Sequence, residues 1–484
     1  MKKITVLLVT LIIGNFLVGQ NLNKKIYMSK QEHEAGYIDI VAPTENKKIV
    51  VVSKEKGKME NLSIKLYDEN FDQVDEKKMI VSDEVQFFKL ANNHLFIMCN
   101  DVKGYNIYKI NLETSLIVKT ISIKEEEKYY YNKVQAYSDL LNYFYCEIWG
   151  ESYLYQVNLS DGNVIPFNFA VDSKETESVY KIIPIEDSEE ILVLRAKGTK
   201  KTKKFEIVIH DENGNELFVS DMSIDDKFIK TLDCAKGDQL YFIGNYDEDV
   251  NEKNKSLVDN GDKKPNHKGI YIKTSTQENP INKFYKFSDF ENFSILLREY
   301  HDELNVPKFN FGLDKVLYTG KENVAIGTIY KNIHGYKDGY QIYIGKELEY
   351  ILAFAFDKNG DILWDQAIHL DTKHVQPRNG IFEQLNLEHP VTAVAEGDKI
   401  SLHYPLDESI YYYELVDGKI THQKETKFEK LEDAKGFRKI EDQYVTAVYW
   451  YGDYYFNFLK NYTPELDGGK ENNYLYLNRI QFNK

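Results

Sequence analysis

Asp247, Asp249 and Asn251 place oxygen ligands at alternate positions, which is how a calcium loop begins. Such a loop needs Gly at its sixth position and Glu at its twelfth. Here those positions hold Glu252 and Val258, so no EF-hand forms and 245–269 reads as a solvated acidic loop. His369, Asp371 and His374 gather near the end of an apolar run. Strand alternation sets 369 and 371 on one side and leaves 374 beyond the strand. Metal binding would require a further ligand, so the three read as a surface cluster and no metal site is expected. Lys197, Lys200, Lys201, Lys203 and Lys204 crowd a hairpin tip, where they either meet an anionic glycan or phosphate or keep the hairpin soluble. His33-Glu34 lacks the second His of a zinc-protease helix, and His301-Asp302-Glu303 point in different directions on a helix. No Gly-x-Ser-x-Gly elbow, phosphate-binding Gly loop or zinc-spaced Cys/His set occurs. The sequence therefore names no catalytic residue and calls for no cofactor.

Aromatic side chains are the stronger candidates. Tyr449, Trp450, Tyr451, Tyr454, Tyr455, Phe456 and Phe458 form the richest run. Trp149 occupies a comparable corner, and His334, Tyr336 and Tyr340 share a polar insertion. Aromatic faces on a rim hold sugars or peptides, and packing between sheets produces the same pattern. Trp149, His334, Tyr336, Tyr340, Trp450 and Tyr451 are the candidate ligand-binding residues.

A recurring turn shows what must position them. It reads Asp68-Glu69-Asn70-Phe71, Asp211-Glu212-Asn213-Gly214 and Asp357-Lys358-Asn359-Gly360, each between two strand-like runs. Asp starts such a turn by accepting from its own backbone, and Asn or Gly tolerates the left-handed conformation that closes it. Weaker relatives occur at 111–114, 158–162 and 416–418. Four-strand units can be laid out over about 38–81, 85–123, 132–171, 179–224, 228–288, 313–371, 386–430 and 435–484. Strands such as Ile351-Leu352-Ala353-Phe354-Ala355-Phe356 are apolar on both faces, as they are when sheets stack around a ring. The expected fold is all-β, a β-propeller of eight four-stranded blades, with seven as the alternative. The last unit lacks an outer strand, which 24–29 can supply and so close the ring.

Call the strands of a unit a to d. The a–b and c–d turns are short. Insertions at 245–269, 332–346 and 452–473 fall between strands b and c, and 288–312 and 371–385 connect strand d to the next unit. All five belong to one face, where a rigid scaffold can vary its loops. One connection is helical near 288–306. Phe290, Phe293, Leu296, Leu297, Tyr300 and Leu304 recur at helical spacing, Ser288 with Glu291 makes a capping box, and Pro307 ends the run.

Lys2 and Lys3 precede an apolar stretch over 4–18, with Gly19-Gln20 after it, which is the layout of a secretory signal peptide over 1–20. The remainder, 21–484, then reads as a single propeller domain, periplasmic or extracellular, with no membrane insertion. No Cys follows the apolar stretch to carry a lipid. The net charge of −16 repels nucleic acid. Of three Cys, Cys99 and Cys146 lie in apolar strand-like runs and read as buried thiols, with a bridge between them as the alternative.

The Asp-x-Asn-Gly turns in Tyr67-Asp68-Glu69-Asn70, His210-Asp211-Glu212-Asn213-Gly214 and 356–364 resemble those of secreted bacterial β-propeller proteins of unknown function with degenerate blades. WD-type and Asp-box signatures are absent, so the resemblance implies a fold and no activity. Two functions follow as expectations. One is a non-catalytic propeller that holds a protein or glycan on the long-loop face. The alternative is a polysaccharide-acting enzyme, hydrolase or lyase, with carboxylates or His over the central channel. A sensor ectodomain is a third reading, weakened by the lack of a membrane anchor.

Overall fold

The computed structural model describes residues 22–28, 38–43, 49–55, 60–68, 70–81, 85–91, 94–101, 104–114, 116–124, 131–136, 141–148, 151–158, 164–167, 176–185, 188, 190–199, 202–224, 227–248, 268–274, 281–300, 309–337, 340–377, 391–406, 409–427, 444–450, 454–460, 465–467 and 470–481. Among these, antiparallel strands sort into eight sheets. Seven are meanders of consecutive strands. They open at Ile38–Pro43, Val85–Ala91, Tyr131–Ala136, Thr176–Pro184, Lys227–Lys236 (with a short flap, Ser223–Ile224), Asn310–Tyr318 and Thr392–Glu396. The eighth runs Tyr444–Trp450, Tyr454–Lys460, Lys470–Gln481 and then Leu22–Met28, with Leu22 opposite Arg479 and Met28 opposite Asn473. Strand Ile38–Pro43 of the first sheet touches Tyr444–Trp450 and Tyr454–Lys460 of the eighth. Small meanders stacked in chain order are the architecture of a β-propeller.

The apolar runs that resist a one-face assignment are buried on both sides. In strand Tyr340–Phe356, Tyr350, Leu352, Phe354 and Phe356 pack toward Ile270 and Ile272 of the fifth sheet, beside Phe311 of their own. Ile351, Ala353 and Ala355 pack toward the seventh with Ile400 and Leu402. Equivalent cores lie between the first and second sheets and between the fourth and fifth. Each fully buried Leu, Ile or Phe adds roughly 1.5–3 kcal/mol relative to exposure.

The recurring turns form as their residues dictate. Asp211 Oδ1 accepts the N–H of Asn213 at 2.9 Å and of Asn215 at 2.7 Å, and Gly214 closes the turn at φ 82°. Asp357 does the same with Asn359 and Asp361, and Asp68 with Asn70 and Asp72. In the first copy Phe71 takes the left-handed position, at φ 61°, and buries its ring. These turns also join neighbouring sheets. Tyr285 Oη on strand Asn282–Lys286 of the fifth sheet donates to the Gly360 carbonyl of the sixth at 2.6 Å. In the next sheet, a Cβ on Gly418 would lie 2.7 Å from the Trp364 ring.

Cys99 is buried in the core between the first and second sheets. No helix among the described residues is long and apolar enough to cross a membrane.

Candidate functional site

Described connections from strand a to b and from c to d are short, as at 319–322 and 357–361 of the sixth sheet. The strands that the longer connections join, as Asn282–Lys286 to Asn310–Tyr318 and Ile362–Pro377 to Thr392–Glu396, end and begin at the opposite ends. At that same end the sixth sheet outgrows its neighbours. Its strands are Asn323–Lys337, Tyr340–Phe356 and Ile362–Pro377, against Lys399–Leu406, Ser409–Val416 and Lys419–Lys427 in the seventh.

The expected loop over 332–346 is therefore a paired extension. Ile333 lies opposite Gly345, His334 opposite Tyr343, Tyr336 opposite Gln341 and Lys337 opposite Tyr340. The polar, Gly-containing insertion keeps enough Ile and Tyr at ladder positions to pair as strands. The expected connection over 371–385 is likewise strand as far as Pro377.

A helix lies against this sheet at the base of the extension. It runs Glu291–Tyr300, inside the expected 288–306. It starts too late for the Ser288–Glu291 box, and its free N–H groups are met from another strand. Asp365 Oδ2 accepts the N–H of Phe293 at 2.9 Å, and Asn292 Nδ2 donates to the Asp365 carbonyl at 2.6 Å. Burial holds the Asp365 carboxyl above its ordinary range, against the lowering effect of these N–H bonds. Phe290, Phe293 and Leu297 enter the core, as their spacing implies. Leu304 lies outside the described residues.

From the helix a chain of rings crosses to the sheet. Tyr300 stacks on His369 with centroids 3.6 Å apart and planes at 22°. His369 tilts against Tyr350 at 5.1 Å, and Tyr350 meets Phe293 and Phe309 edge-on at 5.2 and 5.9 Å. Desolvation raises the Tyr350 phenol, which stays neutral at physiological pH. Lys331 reaches over Phe309 at 5.4 Å and pairs with Glu349. The arrangement is a rigid aromatic ledge with one ion pair beside it. It provides stacking surface and charge; the described residues include no group of His, Cys, Asp or Glu placed to hold a metal ion.

The sequence candidates fare unequally. His334, Tyr336 and Tyr340 share the paired extension. Trp450 does not join them. Strand Tyr454–Lys460 pairs directly with Tyr444–Trp450, with Trp450 opposite Tyr454, so this aromatic run is a strand a–strand b hairpin and Trp450 sits at its a–b end. Aromatic residues favour strands, and the run is two of them rather than the edge of a long b–c loop. Trp149 and Tyr451 lie outside the described residues, as do Asp249 and Asn251. Asp247 ends strand Leu240–Asp247 and is buried. His369 and His374 are split by a bulge, opposite Tyr350 and Leu348 respectively, and the His369 ring is taken up by packing. Lys197 and Lys204 face each other across their hairpin, as a tip position requires. Asp365, Lys331 and Glu349 were not singled out by spacing. The one signal for Asp365 is an acid inside the apolar run of strand Ile362–Pro377.

No family model and no curated protein matches the chain. Among solved structures it is similar to the polysaccharide lyase Uly1, at 8% identity and a TM-score of 0.41, covering 93% of this chain and 91% of that one. It is also similar to the Dos1 propeller, at 10% identity and 0.40, covering 96% and 95%. A third is the β-propeller domain of the Trilobed protease from Pyrococcus furiosus, at 11% identity and 0.33, covering 82% and 96%. These likenesses concern fold alone.

Proposed function

We propose that this chain is an exported, non-catalytic propeller that holds a protein or glycan on the face carrying the b–c and d–a segments. In this reading 1–20 is a signal peptide and 21–484 is one domain of eight blades, with strand Leu22–Met28 as the last outer strand that closes the ring. Its setting is the periplasm or the exterior.

The observation that carries the proposal is the sixth sheet. Its strands run past their neighbours on the long-segment side only, and a helix capped from within the sheet braces the base of the extension. Extra ordered backbone costs conformational entropy, which an extension past the seventh sheet must recover elsewhere. Such an element is retained where it meets something else.

The test is capture from envelope and culture fractions by the intact protein and by a variant with 334–345 shortened to a tight turn. Thermal unfolding of the two must match first. Capture of a specific protein or glycan by the intact chain alone supports the reading. Equal recovery, or no specific capture, overturns it and shifts attention to activity on polysaccharides.

A further inference from the structure

We propose that Tyr300, stacked on His369, is a platform for a sugar ring, and that the ligand of the long-segment face is a glycan. The inference rests on the binding-face reading above and adds the ligand class.

Tyr300 is 50% exposed, yet its ring is fixed. One face lies on His369, which leans on Tyr350, and Tyr350 is fully buried among Phe293 and Phe309. An exposed tyrosine usually loses rotamer freedom when a ligand orders it. Here that freedom is already spent in the free protein, so contact with the open ring face costs less. A pyranose ring presents C–H groups on its faces and hydroxyls at its edges. It needs one flat aromatic face and polar surroundings rather than a broad apolar patch. The site meets that description, because the Lys331–Glu349 ion pair stands beside the chain of rings that carries Tyr300.

Native gels cast with laminarin, hydroxyethyl cellulose, alginate or chondroitin sulfate test this directly. Tyr300→Ala, Tyr300→Phe and His369→Ala are compared with the parent chain, each first matched in thermal unfolding. Tyr318→Ala is the control, since Tyr318 is 48% exposed but stands at the a–b end of strand Asn310–Tyr318. The expected result is retardation of the parent by at least one polysaccharide, kept by Tyr300→Phe and Tyr318→Ala. Tyr300→Ala should weaken it at least fivefold, and His369→Ala should weaken it less. Retardation by none of the four, or equal retardation of Tyr300→Ala and the parent, overturns the platform. If polysaccharides fail while 334–345-dependent capture of a protein persists, the platform falls and the binding face stands.

Discussion

The carboxylate of Asp365, on the outer strand of the sixth sheet, accepts the N–H of Phe293 in the first turn of the helix Glu291–Tyr300. Helix starts leave N–H groups without intrahelical partners, and a side chain from the same turn usually meets them. Here the cap comes from 72 residues away, so it fixes the helix to the sheet as well as ending it. Asp365→Ala leaves those donors unmet in a buried place, and unfolding stability should fall by about 1–3 kcal/mol. The same change should loosen the helix, which hydrogen exchange of 291–300 would report. Unchanged exchange there would show that ring packing alone holds it.

The pH dependence of that contact has a definite sign. Burial raises the folded-state pKa of Asp365, so the folded protein holds this proton more tightly than the unfolded chain. The contribution is fully present below the ordinary carboxylate value and is lost as pH rises through the folded pKa. Relative to Asp365→Asn, the parent chain should therefore lose ground in thermal unfolding as pH rises from 3 toward neutrality. A growing advantage for the parent would mean that the N–H bonds outweigh desolvation.

Much of the architecture was legible because it is local. Asp211 with Gly214, and Asp357 with Gly360, announce turns through their own backbone chemistry, and alternation marks the strands between. The helix was legible from Phe290, Phe293 and Leu297. The site was less so, because its decisive contacts join distant segments. Nothing near Asp365 in sequence says that it will cap a helix, and nothing near Tyr300 says that His369 will lie beneath it. The extension over 332–337 and 340–346 was misread as a loop because its polar and Gly content hides a ladder that depends on the opposite strand. The run through Trp450 was misread for the converse reason: two strands with a short gap look like one aromatic segment.

Two glycines with similar backbones separate local strain from contact between sheets. Gly397 and Gly418 have φ of 66° and 74°, where a side chain is strained by about 1 kcal/mol or more. A Cβ at 397 would meet nothing within 4 Å, whereas at 418 it would press on the Trp364 ring at 2.7 Å. Gly418→Ala should destabilise clearly more than Gly397→Ala, by a further 1–3 kcal/mol or so for overpacking. Combining it with Trp364→Ala should recover part of that difference. Equal effects of the two glycine changes in chemical denaturation would remove the c–d turn as a joint between sheets.

Asn245 tests the other kind of joint. Its amide donates to the Phe311 carbonyl at 2.7 Å and accepts the Phe311 N–H at 2.8 Å, tying the fifth sheet to the sixth with both groups buried. Asn245→Ala strips a backbone donor and acceptor of partners at once, and the cost should reach about 2–4 kcal/mol, above a typical single hydrogen bond. Asn245→Asp keeps the acceptor but sets a carboxylate against the Phe311 carbonyl, so it should be at least as damaging near neutral pH. It should recover as pH falls and the acid gains a proton to donate. A pH-independent Asn245→Asp would argue that the pair is not the bidentate contact seen here.

His403 should contribute to the acid sensitivity of the fold. It is buried on strand Lys399–Leu406 beside the Tyr412 ring, and desolvation lowers its folded-state pKa to about 2. The unfolded chain takes up this proton near pH 6.5 and the folded chain does not. The contribution of His403 to stability is thus complete above pH 6.5 and is lost as pH falls below it, by up to about 1.4 kcal/mol per pH unit. His210 is also buried with a lowered pKa and adds to the slope in the same direction. His403→Phe should flatten the fall in unfolding free energy between pH 6.5 and 4.5 without abolishing it, while the double change with His210→Phe should flatten it further. A single variant as acid-sensitive as the parent would show that His403 gains its proton in the folded state.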